Sequence, residues 1–128
     1  MPHLIIQYSR DLEDHVDMDA LCAKLRDAMV STGIFPLGGI RVRGFRADAQ
    51  AIADGARTYH FVDLVLRMGA GRAPADRARA LRDIYGTARA FLEPLLPDPC
   101  ALSMEVVEIS AEFSEKSWNT IHGALRGT

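Results

Sequence analysis

The sequence has no excess of positive charge and no long apolar run. Its 15 Lys and Arg against 17 Asp and Glu leave a net charge of −2. The basic stripe or patch that nucleic-acid binding calls for is therefore missing. No apolar stretch nears the roughly 20 residues needed to span a bilayer. The start, Met1-Pro2-His3-Leu4-Ile5-Ile6, has no basic region ahead of a long apolar segment, so no signal peptide and no membrane partner is expected. Cysteine is scarce. Cys22 and Cys100, each in an apolar setting, read as buried free thiols in a reducing, cytoplasmic compartment rather than as a disulfide. His3, His15, His60 and His122 are scattered, with no Cys-x-x-Cys or His-x-x-x-His spacing, and neither a metal nor a cofactor is expected.

What is present suits an ordinary globular chain: 48% hydrophobic and 25% charged residues. At 128 residues it has the length of one domain able to bury a core without staples. The chain carries the same unit twice, in halves of about 1–50 and 58–110, followed by a tail at 111–128. In the first half, residues 2–8 read as a strand and 9–15 as a polar stretch. Asp17 stands where a helix N-cap belongs, and Leu21, Leu25, Ala28 and Met29 recur at helical spacing up to a stop at Gly33. Residues 40–45 read as the second strand.

In the second half, residues 59–68 alternate as a strand, and Gly69-Ala70-Gly71-Arg72 turns the chain. Pro74 suits a first helical turn. Ala78, Leu81, Ile84, Tyr85, Ala88, Phe91, Leu92 and Leu95 are expected on that helix's buried face, and residues 101–109 form the fourth strand. The segment 47–57 reads as a loop or short hairpin. The fold class is α+β: a tandem β-α-β repeat, a four-stranded sheet with two helices on one face. Its strands are too apolar for the other face to meet water, so oligomerisation is expected.

Pro2, Arg41 and Arg72 sharpen the reading. A proline directly after the initiator Met, opening an apolar strand, resembles the tautomerase superfamily, whose mature chains begin with proline. The segments Met1-Pro2-His3, Thr32-Gly33-Ile34-Phe35-Pro36-Leu37, Gly39-Ile40-Arg41, Ala53-Asp54-Gly55, Gly69-Ala70-Gly71-Arg72 and Leu102-Ser103-Met104-Glu105-Val106 together resemble the 5-carboxymethyl-2-hydroxymuconate isomerase family. Asn119 and His122 extend the match loosely. The resemblance implies a tautomerase-like fold, a homotrimer, and an enzyme of homoprotocatechuate breakdown that converts a dienol tricarboxylate to a conjugated 2-oxo acid. It implies Pro2 as catalytic base and Arg41, Arg72 and, more weakly, Arg43 as substrate-binding residues.

The chemistry fits those residue types. At a chain terminus proline is a secondary amine on a rigid ring, and an ordinary α-amino group titrates at about 7.7–8. Burial and nearby arginines lower that value, so the free amine predominates near neutrality and can accept a proton. His3 points to the other face of the strand by alternation and is a poor candidate. An arginine fork holds a carboxylate and stabilises a developing oxyanion. Arg72, in the turn before Pro74, lies near a helix N-terminus that already favours anions.

The remaining candidates read as structural. Arg46 sits on a wet edge, and Arg77, Arg79, Arg82 and Arg89 are expected on the exposed face of the second helix. Phe113 and Trp118 are expected to pack in the core or an interface. Ser9, Ser103 and Ser110 lack a nucleophile signature, and the glycines at 69 and 71 lack the full phosphate-loop pattern. Two other functions compete: a tautomerase, hydratase or dehalogenase for another unsaturated keto-enol acid, and a non-enzymatic ferredoxin-like ligand-binding module.

Overall fold

The computed structural model describes residues 1–126. Its elements are β1 (His3–Tyr8), a 3-10 turn (Arg10–Asp14), α1 (Met18–Ser31), a second 3-10 turn (Leu37–Gly39), β2 (Arg41–Arg46), β3 (His60–Gly69), α2 (Pro74–Leu92), β4 (Cys100–Ile109) and α3 (Ile121–Arg126). Asp17 caps α1, its carboxylate accepting from Ala20 N at 3.2 Å. Gly33, at φ +73°, adopts the left-handed conformation that ends the helix. Pro74 opens α2.

The strands form one sheet in the order β2-β1-β3-β4. Each half makes a parallel pair across its own helix, and the halves join through the antiparallel pair β1–β3, where Leu4 faces Leu66 and Ile6 faces Leu64. Alternation along the strands decides which face is covered. Leu4, Ile6, Val62, Leu64, Leu66 and Met68 have no exposure and pack under Leu21, Leu25 and Met29 of α1 and Ile84 and Ala88 of α2. Burying each such large side chain contributes roughly 1.5–3 kcal/mol. The predicted tandem β-α-β repeat with two helices on one face is the fold observed. The opposite face carries Ile5, Phe61 and Val65 half-covered, with Phe45 and Val107 exposed.

Several expectations need correction. On α2 the buried stripe is Ala80, Ile84, Ala88 and Leu92, one residue every fourth position. Ala78, Leu81 and Leu95 lie outside it and are exposed. Only Arg82 and Arg89 behave as exposed helix arginines. Arg77 Nη1 pairs with Glu108 Oε1 at 2.7 Å, Arg79 Nη2 donates to Thr32 O at 3.0 Å, and the Nε atoms of both are buried. Cys22 is half-buried, but Cys100 starts the edge strand β4 and is exposed; both are free thiols. Segment 47–57 is a loop without strands. Phe113 and Trp118, at 83% and 87% exposure, pack into no core of this chain. The polar stretch 9–15 holds a 3-10 turn, whose Leu12 is wholly buried.

Candidate active site

The start of the chain and the tail segment carrying Asn119 and His122 meet at one end of the sheet. Pro2, buried at the entry to β1, lies on the helix-facing side with Leu4 and Ile6, while His3 turns to the open face. The carbonyl of Pro2 accepts from Arg41 N at 3.1 Å, which fixes the start of β1 against β2. Gly39 lets the backbone come close: a Cβ there would stand 3.3 Å from Pro2 Cδ. The carbonyl of Gly38 accepts from both Asn119 Nδ2 at 3.0 Å and Arg41 Nη1 at 3.3 Å, and Gly39 O accepts from Arg41 Nη1 at 2.7 Å. The tail is thus bonded to the turn that carries the entry to β2, and Asn119 Nδ2 also lies 3.4 Å from Met1 Sδ.

The terminal amine, here that of Met1, lies in a cationic corner. Burial lowers its pKa below 8.0, and the charges of Lys116, Arg72 and Arg41 push the same way. Met1 also lines a cavity of about 400 Å³ with His3, Arg67, Gly69 and Lys116. Loss of Met1, one of the residues lining that space, would leave the Pro2 nitrogen as the terminal amine.

Arg72 is held rather than free. Its Nε and Nη2 donate to Ile34 O at 3.3 and 3.0 Å, and its guanidinium stacks 5.3 Å from the Phe35 ring centroid. A cation over an aromatic face gains electrostatic attraction, so the fork is fixed in direction. Arg41 is held by its two carbonyls. The structure therefore brings Pro2, Arg41 and Arg72 together around the terminus. It does not bring Arg43 there: Arg43 Nη1 lies 3.2 Å from His3 Nδ1, and burial with Arg43, Arg67 and Arg41 lowers the pKa of His3. Arg46 bridges Glu13 at 3.6 Å on the outer edge.

Sequence reasoning missed Lys116, which folds back from an irregular tail without hydrophobic period; its only signal was a cation near the loosely matched Asn119. The histidine reading is corrected in one place. His15 and His60 are distant in sequence, yet the β1–β3 pairing brings them together beside Asp98.

The docking of the tail is testable. Gly38 does not have positive φ, so alanine there is not strained by its backbone. Its Cβ would instead run into His122, closing on Nδ1 and standing 2.9 Å from Cε1. Gly38→Ala should displace α3, cost about 1–3 kcal/mol as overpacking, and speed limited proteolysis after residue 110. Adding His122→Ala should restore most of the loss, as read by thermal unfolding of the double variant.

Residues 2–125 match the family model described as 5-carboxymethyl-2-hydroxymuconate isomerase. The chain is 32% identical over 127 residues to the 5-carboxymethyl-2-hydroxymuconate Delta-isomerase of Escherichia coli, covering 98% of this chain and all of that one. A solved 5-carboxymethyl-2-hydroxymuconate delta-isomerase is 37% identical, with TM-score 0.89 over 98% of this chain and 93% of that one. The 5-carboxymethyl-2-hydroxymuconate isomerase of Deinococcus radiodurans R1 is 30% identical, with TM-score 0.87 over 98% and 94%. At 19% identity, a fused 4-OT solved as a symmetric trimer shares the fold, with TM-score 0.62 over 91% and 93%.

Proposed function

The chain belongs to the 5-carboxymethyl-2-hydroxymuconate isomerase family and is an isomerase of tautomerase-like fold, and from that premise we propose that Pro2, freed by removal of Met1, is the general base of its reaction. One observation carries the assignment: the amino terminus lies in a partly buried corner ringed by Lys116, Arg72 and Arg41. Burial and like charges disfavour the protonated form of a terminal amine, which favours its use as a base. The same cations suit a substrate bearing several carboxylates.

The substrate is a dienol tricarboxylate. Pro2 N takes the 2-hydroxyl proton, the enolate electrons shift along the diene, and the resulting ammonium returns the proton to a distal ring-cleavage carbon. One O–H bond breaks and one C–H bond forms, so no redox partner or cofactor takes part. The charge that grows on the 2-oxygen is stabilised by a guanidinium. Arg72 and Arg41 are assigned that role and the holding of carboxylates. Arg43, engaged with His3 on the open face, contributes charge at longer range.

In the cell this step belongs to homoprotocatechuate breakdown in the cytoplasm; among the described residues no helix is long and apolar enough to cross a membrane. The working unit is a homotrimer of single-domain chains, each covering a neighbour's sheet face at Ile5, Phe45, Val65 and Val107, with Phe113 and Trp118 packing across the boundary. Covering these side chains removes apolar surface that a lone chain leaves in water.

A chain whose intact mass lacks Met1 should ketonise 5-carboxymethyl-2-hydroxymuconate, followed by ultraviolet absorbance. The same chain with one residue ahead of Pro2, which turns its nitrogen into an amide, should fold equally well and show no turnover. Activity in the extended chain would overturn the base assignment. An inactive chain of correct mass would reopen the choice of substrate.

A further inference from the structure

A buried polar cluster lies at the far end of β1 from Pro2. The pairing of β1 with β3 continues past Tyr8: Ser9 N donates to Phe61 O, and Phe61 N donates to Ser9 Oγ, both at 3.1 Å. His60 N donates to Pro99 O at 2.9 Å, which fastens the loop before β4 to the start of β3. These bonds gather three side chains from distant segments. The His60 ring has no exposure; its Nε2 lies 3.3 Å from Asp98 Oδ2 and its Nδ1 3.4 Å from Ser9 Oγ. His15 stands edge-on to His60, ring centroids 5.7 Å apart, with its Nε2 3.9 Å from the same Asp98 oxygen. One donor atom from each of the three lies within 4.8 Å of the others.

We propose that His15, His60 and Asp98 form a site for a borderline divalent cation of the zinc type, clasping the turn after β1, the start of β3 and the loop before β4. Zinc bonds to imidazole nitrogen and carboxylate oxygen are about 2.0–2.2 Å long, so tetrahedral ligand atoms stand roughly 3.3–3.5 Å apart. The two separations on Asp98 Oδ2 are 3.3 and 3.9 Å and the whole set lies within 4.8 Å, so the ligands must draw together by at most about 1.5 Å, and His15 is the exposed member able to move. Two imidazoles and one carboxylate suit zinc, cobalt or nickel and do not suit calcium or magnesium, which take oxygen ligands. Three protein ligands leave a fourth position to water.

The surroundings are arranged as a ligating histidine requires. Ser9 Oγ stands at the ring nitrogen opposite the proposed ion, where a partner fixes the tautomer and the ring direction. Without metal, Nε2–H donates to Asp98; with metal, that proton resides on Nδ1 and Ser9 Oγ accepts it. Arg57 Nη2, 3.8 Å from the other Asp98 oxygen, opposes a cation. It is more than half exposed and bonds the oxygen that the site does not use, so it can swing into solvent.

The test is titration of the full chain, stripped with a chelator, with zinc chloride, followed by calorimetry and thermal unfolding. One ion per chain is expected, with Tm raised by roughly 8 °C once free zinc exceeds Kd about a hundredfold. Cobalt substitution should give a visible d–d band of tetrahedral intensity. His15→Ala and Asp98→Asn, both at positions outside the core, should keep the fold and weaken binding at least about tenfold. Absence of stoichiometric binding would overturn the proposal. So would binding that survives both variants and disappears in Cys100→Ser, which would put the ion on the exposed thiol.

Discussion

Pro2→Ala should lower kcat/KM for 5-carboxymethyl-2-hydroxymuconate by about 10²-fold, the lower end of the range for a positioned acid–base group. Alanine at this position still permits removal of Met1 and still leaves a terminal amine, so basicity is not abolished. What it loses is the ring that fixes the direction of the lone pair, and a primary amine on a freely turning terminus spends little time aligned with the substrate proton. The loss should fall on kcat, because the cations that hold the carboxylates remain. Steady-state kinetics on protein of verified mass measures it, and full activity in the variant would sink the mechanism. The pH dependence has a definite sign. The active form is the free amine, so kcat/KM rises with pH through the pKa of that group. Burial, Lys116, Arg72 and Arg41 lower the pKa of the Met1 amine; on the proposed mechanism the same surroundings act on the Pro2 amine that replaces it, so the rise should fall below the ordinary range for an α-amino group.

Arg72→Ala should cost about 10²–10³-fold in kcat/KM, the usual effect of removing one donor to a developing oxyanion. The same change removes a positive charge that depresses the terminal amine, so the acid limb of the pH profile should move to higher pH. Arg72 also braces Ile34 O and packs over Phe35, and a purely structural loss would lower activity without moving that limb. Arg72→Lys separates the two: it keeps the charge, so the limb should stay, while the lost fork weakens substrate binding and raises KM. An unmoved limb in Arg72→Ala would remove Arg72 from the electrostatic machinery. The bonds to Ile34 already occupy one edge of the guanidinium, so the substrate must be met by the remaining edge, whose Nη1 lies against Gly69.

The strand and helix spans were legible because their causes are local. Asp17, Gly33 and Pro74 punctuate the helices by backbone chemistry that a sequence displays directly. The buried face of α2 was legible only in part. Ala80, Ile84 and Ala88 follow a spacing of four, but alanine marks a face weakly, and the larger Leu81 and Leu95 drew the predicted stripe off its axis. Pro2, Arg41 and Arg72 came from ordered motifs rather than from periodicity. Lys116 and the meeting of His15 with His60 and Asp98 were not legible. Each depends on a tertiary path, a tail folding back in one case and an antiparallel pairing in the other, and neither leaves a short-range spacing to read.

The contact of the tail with Gly38 and the terminus also has a consequence for synthesis. Chains emerge N-terminus first, so Pro2 is made well before Lys116, Asn119 and His122. A nascent or C-terminally shortened chain can pair its strands and fill its core while the corner around its amine is still unwalled. On the proposed mechanism the amine meets its full set of neighbouring cations only after the segment carrying Lys116 has been made and has folded back.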